Sequence, residues 1–168
     1  MSNSRFQYLS YFLNEDTIIY GGNKGIEIKK LSDIEMGDTA NTKSITLHNH
    51  SGTHIDFPNH FIINGKVSSD YDPNFWIFTN PFIVDVNLKK DQNIIDSKSF
   101  KLESIPKKTD FLILNTGFFN KRGTKVFWNN NPGISSNLAK QLKNQCPMLR
   151  VLGMDTISLS GYQNRDLG

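Results

Sequence analysis

Apolar and polar residues along this chain fall into short strand-like runs before any clear helix appears. Residues 6–14 are rich in Phe, Tyr and Leu and predict an opening strand. Tyr20-Gly21-Gly22-Asn23 predicts a turn, because paired glycines supply the positive φ angles that turns require. Residues 26–31 alternate apolar and polar, and residues 44–50 predict a further strand that runs into a histidine-rich stretch. Residues 81–87 have high β-propensity. Residues 110–116 form an apolar run closed by Gly117, which suits a strand buried on both faces. Ser135 or Ser136 can cap a helix beginning near Asn137, with Leu138, Ala139 and Leu142 on one face. Residues 149–153 predict another strand. Helix–strand alternation in the second half indicates an α/β fold, and the strand-heavy first half indicates a mixed sheet. The whole of residues 1–168 is expected to form a single domain.

Composition narrows the class. The chain has 168 residues, 37% of them hydrophobic and 21% charged, which fits one folded domain with its own core. Its 19 Lys and Arg against 16 Asp and Glu leave a net charge of only +3. The lysine pairs 29–30, 89–90 and 107–108 are scattered beside expected turns, not gathered into the stripe that nucleic acid requires. No nucleic-acid partner is expected. No apolar run approaches the ~20 residues needed to cross a bilayer, and the N-terminus lacks a signal-peptide core. The one cysteine, Cys146, allows no internal disulfide. A cytoplasmic location is expected.

All four histidines, His48, His50, His54 and His60, lie within thirteen residues together with Asp56. Imidazole and carboxylate are the usual ligands of zinc, manganese and similar ions. A catalytic site uses three protein ligands and leaves a position open for water, so His50, His54 and Asp56 are candidate ligands. In extended backbone these three share parity and project to one side. Gly52 permits close backbone approach and Pro58 opposes a continuous helix, so the chain is expected to wrap one point in space. His60, beyond Pro58, is a candidate general base. A polar surface loop is the competing reading. His48 is expected in a supporting role, and Trp76 to pack on the core.

The motif His50-x-Gly52-Thr53-His54-x-Asp56-x-Pro58-x-His60 resembles the signature of the cyclase family of metal-dependent hydrolases, which includes kynurenine formamidases (arylformamidases) and isatin hydrolases. Asn115-Thr116-Gly117-Phe118, Asn131-Pro132-Gly133-Ile134-Ser135 and Gly153-Met154-Asp155-Thr156-Ile157-Ser158 are similar to later family segments. The resemblance implies a kynurenine-formamidase-like swivelling β/β/α fold, assembled as a homodimer or homotetramer. It implies His50, His54 and Asp56 as ligands of a divalent metal, zinc or manganese, and His60 as proton donor and acceptor. It further implies hydrolysis of an amide or lactam C–N bond in a small molecule, in some members on the route of tryptophan degradation.

Two departures qualify this. Where kynurenine formamidases carry a Trp, Pro, Gly, Asp run that touches substrate, this chain has Tyr20, Gly21, Gly22 and Asn23. Tyr20 can stack on an aromatic substrate or pack on the core. The family also uses a further His and Glu as ligands beyond the Gly-x-Asp-x-x-Ser segment. This chain has no histidine after His60 and no glutamate after Glu103. The expectation is a family member lacking its C-terminal segment, holding one metal weakly or none. The competing functions are a catalytically silent member used for binding or assembly, and a metal-dependent cyclase or dehydratase.

Overall fold

The first alternating segment forms a strand, β1 (Ile26–Ser32), which pairs antiparallel with β2 (Thr42–Leu47). The computed structural model describes residues 9–89 and 92–161. They fall into two compact units, Met1–Ser68 and Ser69–Gly168. In the first unit the turn at Gly21 and Gly22 forms as expected: both have positive φ (87° and 83°), and Gly22 N–H donates to Ile19 O.

Two strand expectations fail in this unit. Residues 9–14 form no strand, and residues 6–8 lie outside the described residues. The aromatic side chains from Leu9 to Leu13 are exposed, and Asn14 instead closes a local turn with Thr17. The second strand begins two residues earlier than expected and stops at Leu47, before the histidines. The backbone turns there because His48 O accepts both the Ser51 N–H and the Ser51 hydroxyl, a local alternative to the ladder.

The second unit is built on a parallel three-stranded sheet. Its strands are β3 (Pro81–Asp85), β5 (Phe111–Asn115) and β7 (Val151–Met154), in the order β3-β5-β7. A smaller parallel pair joins β4 (Ile94–Ile95) to β6 (Gly133–Ile134). The fold is thus mixed α/β, with antiparallel and parallel pairing kept in separate sheets. Two helices follow β5: α1 (Lys125–Asn129) and α2 (Ser136–Gln145).

Helix α2 shows why this segment is helical. Ser135 Oγ accepts the Leu138 N–H as an N-cap, and Pro147 stands just beyond the end. Leu138 and Leu142, one turn apart, are buried against Val84, Leu112 and Leu114. Ala139 faces out, contrary to expectation, because it lies about 100° around the helix from Leu138. Strand β5 is likewise only partly as expected. Leu112 and Leu114 are fully buried, while Phe111, Ile113 and Asn115 on the other face are half-buried.

Polar side chains lock both ends of this sheet. At the entry end Asp110, 6% exposed, accepts the backbone N–H groups of Thr79 and Asn80 and an Arg150 guanidinium N–H at 3.2 Å. Arg150 also donates to the carbonyls of Phe75 and Ile77 and lies over the rings of Phe75 and Phe78. At the exit end Asp155 accepts the Thr116 N–H and hydroxyl, and Asn115 donates to Asp85. Asn115-Thr116 and Asp155, read from the sequence as separate segments, therefore meet as one clamp.

Burial pushes the Asp110 carboxyl up, but the two backbone amides and the Arg150 guanidinium outweigh it and hold the group below the ordinary range. A carboxylate depressed in the folded state contributes stability above its unfolded pKa and loses it as pH falls through the folded value. Asp110→Ala is therefore expected to cost about 3 kcal/mol at pH 7, because Arg150 loses its partner. In chemical unfolding the gap between wild type and variant closes as pH falls below about 4. A gap independent of pH would contradict this.

Candidate metal centre

The histidine segment is placed by backbone turns, not by a strand. Beyond Leu47 the His48 N–H donates to Gly25 O at 3.2 Å, and residues 48–51 turn. Ser51 is buried, and Gly52 adopts φ of 64°, the left-handed region that favours glycine. The shared parity of His50, His54 and Asp56 therefore has no bearing here. They converge because the chain reverses between them. Pro58 then opens a single 3₁₀ turn, Pro58–His60, with the His60 N–H donating to Phe57 O at 2.8 Å.

Three donor atoms meet at this reversal. His50 Nδ1 lies 2.9 Å from His54 Nε2 and 3.0 Å from Asp56 Oδ1, and His54 Nε2 lies 3.4 Å from Asp56 Oδ1. Neighbouring donors around an ion bound at roughly 2.0–2.2 Å stand about 3.0–3.5 Å apart. The triangle thus matches the spacing of three ligands on one face of a divalent ion. His60 joins from the side, its ring centroid 4.2 Å from that of His50. Ligand atoms of His50, Asp56 and His60 also lie within 4.8 Å of one another, a looser grouping.

Hydrogen bonds set the proton positions. His54 Nδ1 is 2.9 Å from Gly52 O. A carbonyl only accepts, so Nδ1 carries the hydrogen and the Nε2 lone pair faces the triangle. This is the usual support of a metal-ligating imidazole. On the other side of His50, Asn49 Nδ2 is 3.3 Å from Nε2. An amide N–H donating there leaves the proton of neutral His50 on Nδ1, aimed at Asp56 and His54. Binding a cation through Nδ1 requires that proton to move to Nε2 and the Asn49 amide to turn its oxygen inward. Sequence reading did not single out Asn49; its position beside His50 was the available signal.

The side chains are partly open to water, 29% for His50, 27% for His54 and 42% for Asp56. Burial lowers the His50 pKa most, Asp56 opposes this, and the nearby His60 and His54 lower it further. His48 stays outside the donor group and contributes main-chain bonds. Tyr20 is exposed at the head of the Gly21-Gly22 turn. Trp76 is half-buried among Tyr71 and Phe75. Asp155 and Ser158 belong to the second unit, where Asp155 clamps Thr116 and Ser158 Oγ accepts the Ser160 N–H. Among the described residues no helix is long and apolar enough to cross a membrane.

Comparison with known proteins gives a consistent picture. The family described as "Putative cyclase" matches residues 8–160. Kynurenine formamidase of Bacillus anthracis is 26% identical over 168 residues, covering 99% of this chain and 76% of the relative. Kynurenine formamidase of Bacillus mycoides matches with the same identity and coverage, and that of Bacillus cytotoxicus is 24% identical over the same share.

A depressed imidazole pKa leaves His50 neutral at pH 7 and ready to act as a ligand. Histidine ring resonances followed across pH in metal-free protein are expected to give His50 a midpoint below the ordinary value of about 6.5. A midpoint above it would mean that the Asp56 attraction dominates, against the balance described.

Proposed function

This chain belongs to the cyclase family, and from that premise we propose that it is a divalent-metal hydrolase of a C–N bond in a small amide. The observation that carries the reading is the donor triangle of His50, His54 and Asp56 with the His60 ring beside it. These three residues would hold a zinc or manganese ion. When bound, such an ion supplies Lewis acidity to the reacting carbonyl and lowers the pKa of water.

The chain's own residues would do the rest. His60 accepts a proton from the attacking water as the new C–O bond forms at the carbonyl carbon. It returns the proton to the leaving nitrogen as the C–N bond breaks, giving a carboxylic acid and an amine. Asp56 and Gly52 O hold the two imidazoles in register. The relatives' name points to a formyl amide, N-formylkynurenine, as the first substrate to try. Tyr20 is proposed to stack on its aromatic ring. The protein is proposed to act in the cytoplasm, on a small molecule and not on nucleic acid.

We also propose a homo-oligomer. A two-stranded sheet alone is marginal in water, and β2 leaves Ile45 62% and Leu47 52% exposed. Sedimentation at micromolar concentration is expected to report a dimer or tetramer, and a monomer throughout would contradict this.

The looser grouping of His50, Asp56 and His60 favours a second reading, in which His60 replaces His54 as a ligand. Calorimetric zinc titration and turnover of N-formylkynurenine separate the two. Under the main reading His50→Ala, His54→Ala and Asp56→Ala each weaken zinc by at least about a hundredfold. His60→Ala keeps zinc affinity but lowers kcat by about 10² to 10⁴. If His60→Ala loses zinc while His54→Ala keeps it, the second reading holds. Tight zinc with no turnover of any formyl amide would leave a binding protein instead of a hydrolase.

A further inference from the structure

His60 sits on a loop that closes on itself from Pro58 to Lys66. Phe61 and Ile62 N–H both donate to Pro58 O, Gly65 N–H donates to Ile62 O, and Asn59 N–H donates to Lys66 O at 3.1 Å. Asn64 makes the return with φ of 60°. At the closing point Gly65 lies against the peptide that joins Pro58 to Asn59. A Cβ on Gly65 would stand 2.6 Å from Pro58 C, 2.7 Å from Asn59 N and 2.8 Å from Pro58 O.

All three atoms are backbone, so no side chain can swing away to make room. Gly52 differs: its added Cβ would meet only the flexible end of Leu13. The peptide that rests on Gly65 leads directly into His60, whose ring is held between His50 and Phe61 at centroid distances of 4.2 Å each. A shift of that peptide moves the His60 ring off His50, while the turn at residues 50–56 is built by other bonds.

We infer that Gly65 is the positioning residue for His60: the contact of its bare Cα with the Pro58–Asn59 peptide sets the imidazole against His50. The catalytic consequence rests on the proposed role of His60 as proton carrier. The placement itself does not.

The test uses the full chain as wild type, Gly65→Ala, Asn64→Gly as control, His60→Ala, and His60→Ala with Gly65→Ala. In metal-free protein, ring-to-ring NOEs between His50 and His60 are expected to vanish in Gly65→Ala, while those between His50 and His54 remain. Asn64→Gly keeps both sets. With zinc and N-formylkynurenine, Gly65→Ala is expected to lower kcat about a hundredfold with KM little changed. In the His60→Ala background the same substitution changes kcat less than about twofold.

Intact His50–His60 NOEs in Gly65→Ala, or an equal loss of kcat in both backgrounds, would overturn the inference. If Gly65→Ala does not fold, hydrogen exchange on wild type decides: a protected Asn59 amide supports the close contact, and an amide exchanging at the free-chain rate overturns it. A wild type inactive on formyl amides counts against the proposed function, and the NOE arm then still decides the role of Gly65.

Discussion

The backbone reversal at Ser51 and Gly52 is the constraint on which the candidate centre depends. It brings His50 Nδ1, His54 Nε2 and Asp56 Oδ1 within 3.4 Å of one another, from residues spread over seven positions. An extended chain would spread the same residues over about 20 Å. The reversal requires a residue at φ of 64°, where a side chain is strained, and a buried Ser51 whose hydroxyl ties the turn to His48 O. The same glycine then offers its carbonyl to His54 Nδ1, so one residue both turns the chain and sets a tautomer.

Charge explains why such a cluster suits a cation. His50 Nδ1, His54 Nε2 and Asp56 Oδ1 converge on one region, with the His50 Nδ1 hydrogen between them. Burial and the neighbouring imidazoles work against a charged His50, which keeps the ring in the neutral form a ligand needs. A divalent ion held as proposed would replace that one hydrogen with three directed bonds. The second unit shows a different use of buried charge. Asp110 and Arg150 satisfy each other and four backbone groups, so their charges serve the sheet and leave little for a ligand.

Much of this was legible in the sequence, for physical reasons that can be named. Strand β3 was marked by its β-propensity and β5 by its apolar run, helix α2 carries a periodicity that packing obeys at Leu138 and Leu142, and Ser135 announces the cap. The histidine motif pointed to a candidate metal site through residue type and spacing. The route by which those residues converge was not legible. Parity assumes a strand, and the strand ends at Leu47 because a serine hydroxyl competes for the backbone at His48. Among the described residues, 9–14 stay irregular and exposed despite their aromatic β-formers. The short pair β4 and β6 is held by main-chain bonds from the Gly133 and Ser135 N–H groups to Asn93 O and Ile95 O, which two-residue strands do not signal.

As proposed, two imidazoles and one carboxylate, not three imidazoles, would hold the ion. X-ray absorption at the zinc edge, on the 168-residue chain loaded with one equivalent, reads this directly through scattering from the imidazole rings. A first shell of nitrogen and oxygen with the outer-shell signature of two imidazoles is expected. A signature of three imidazoles, or of none, would contradict it.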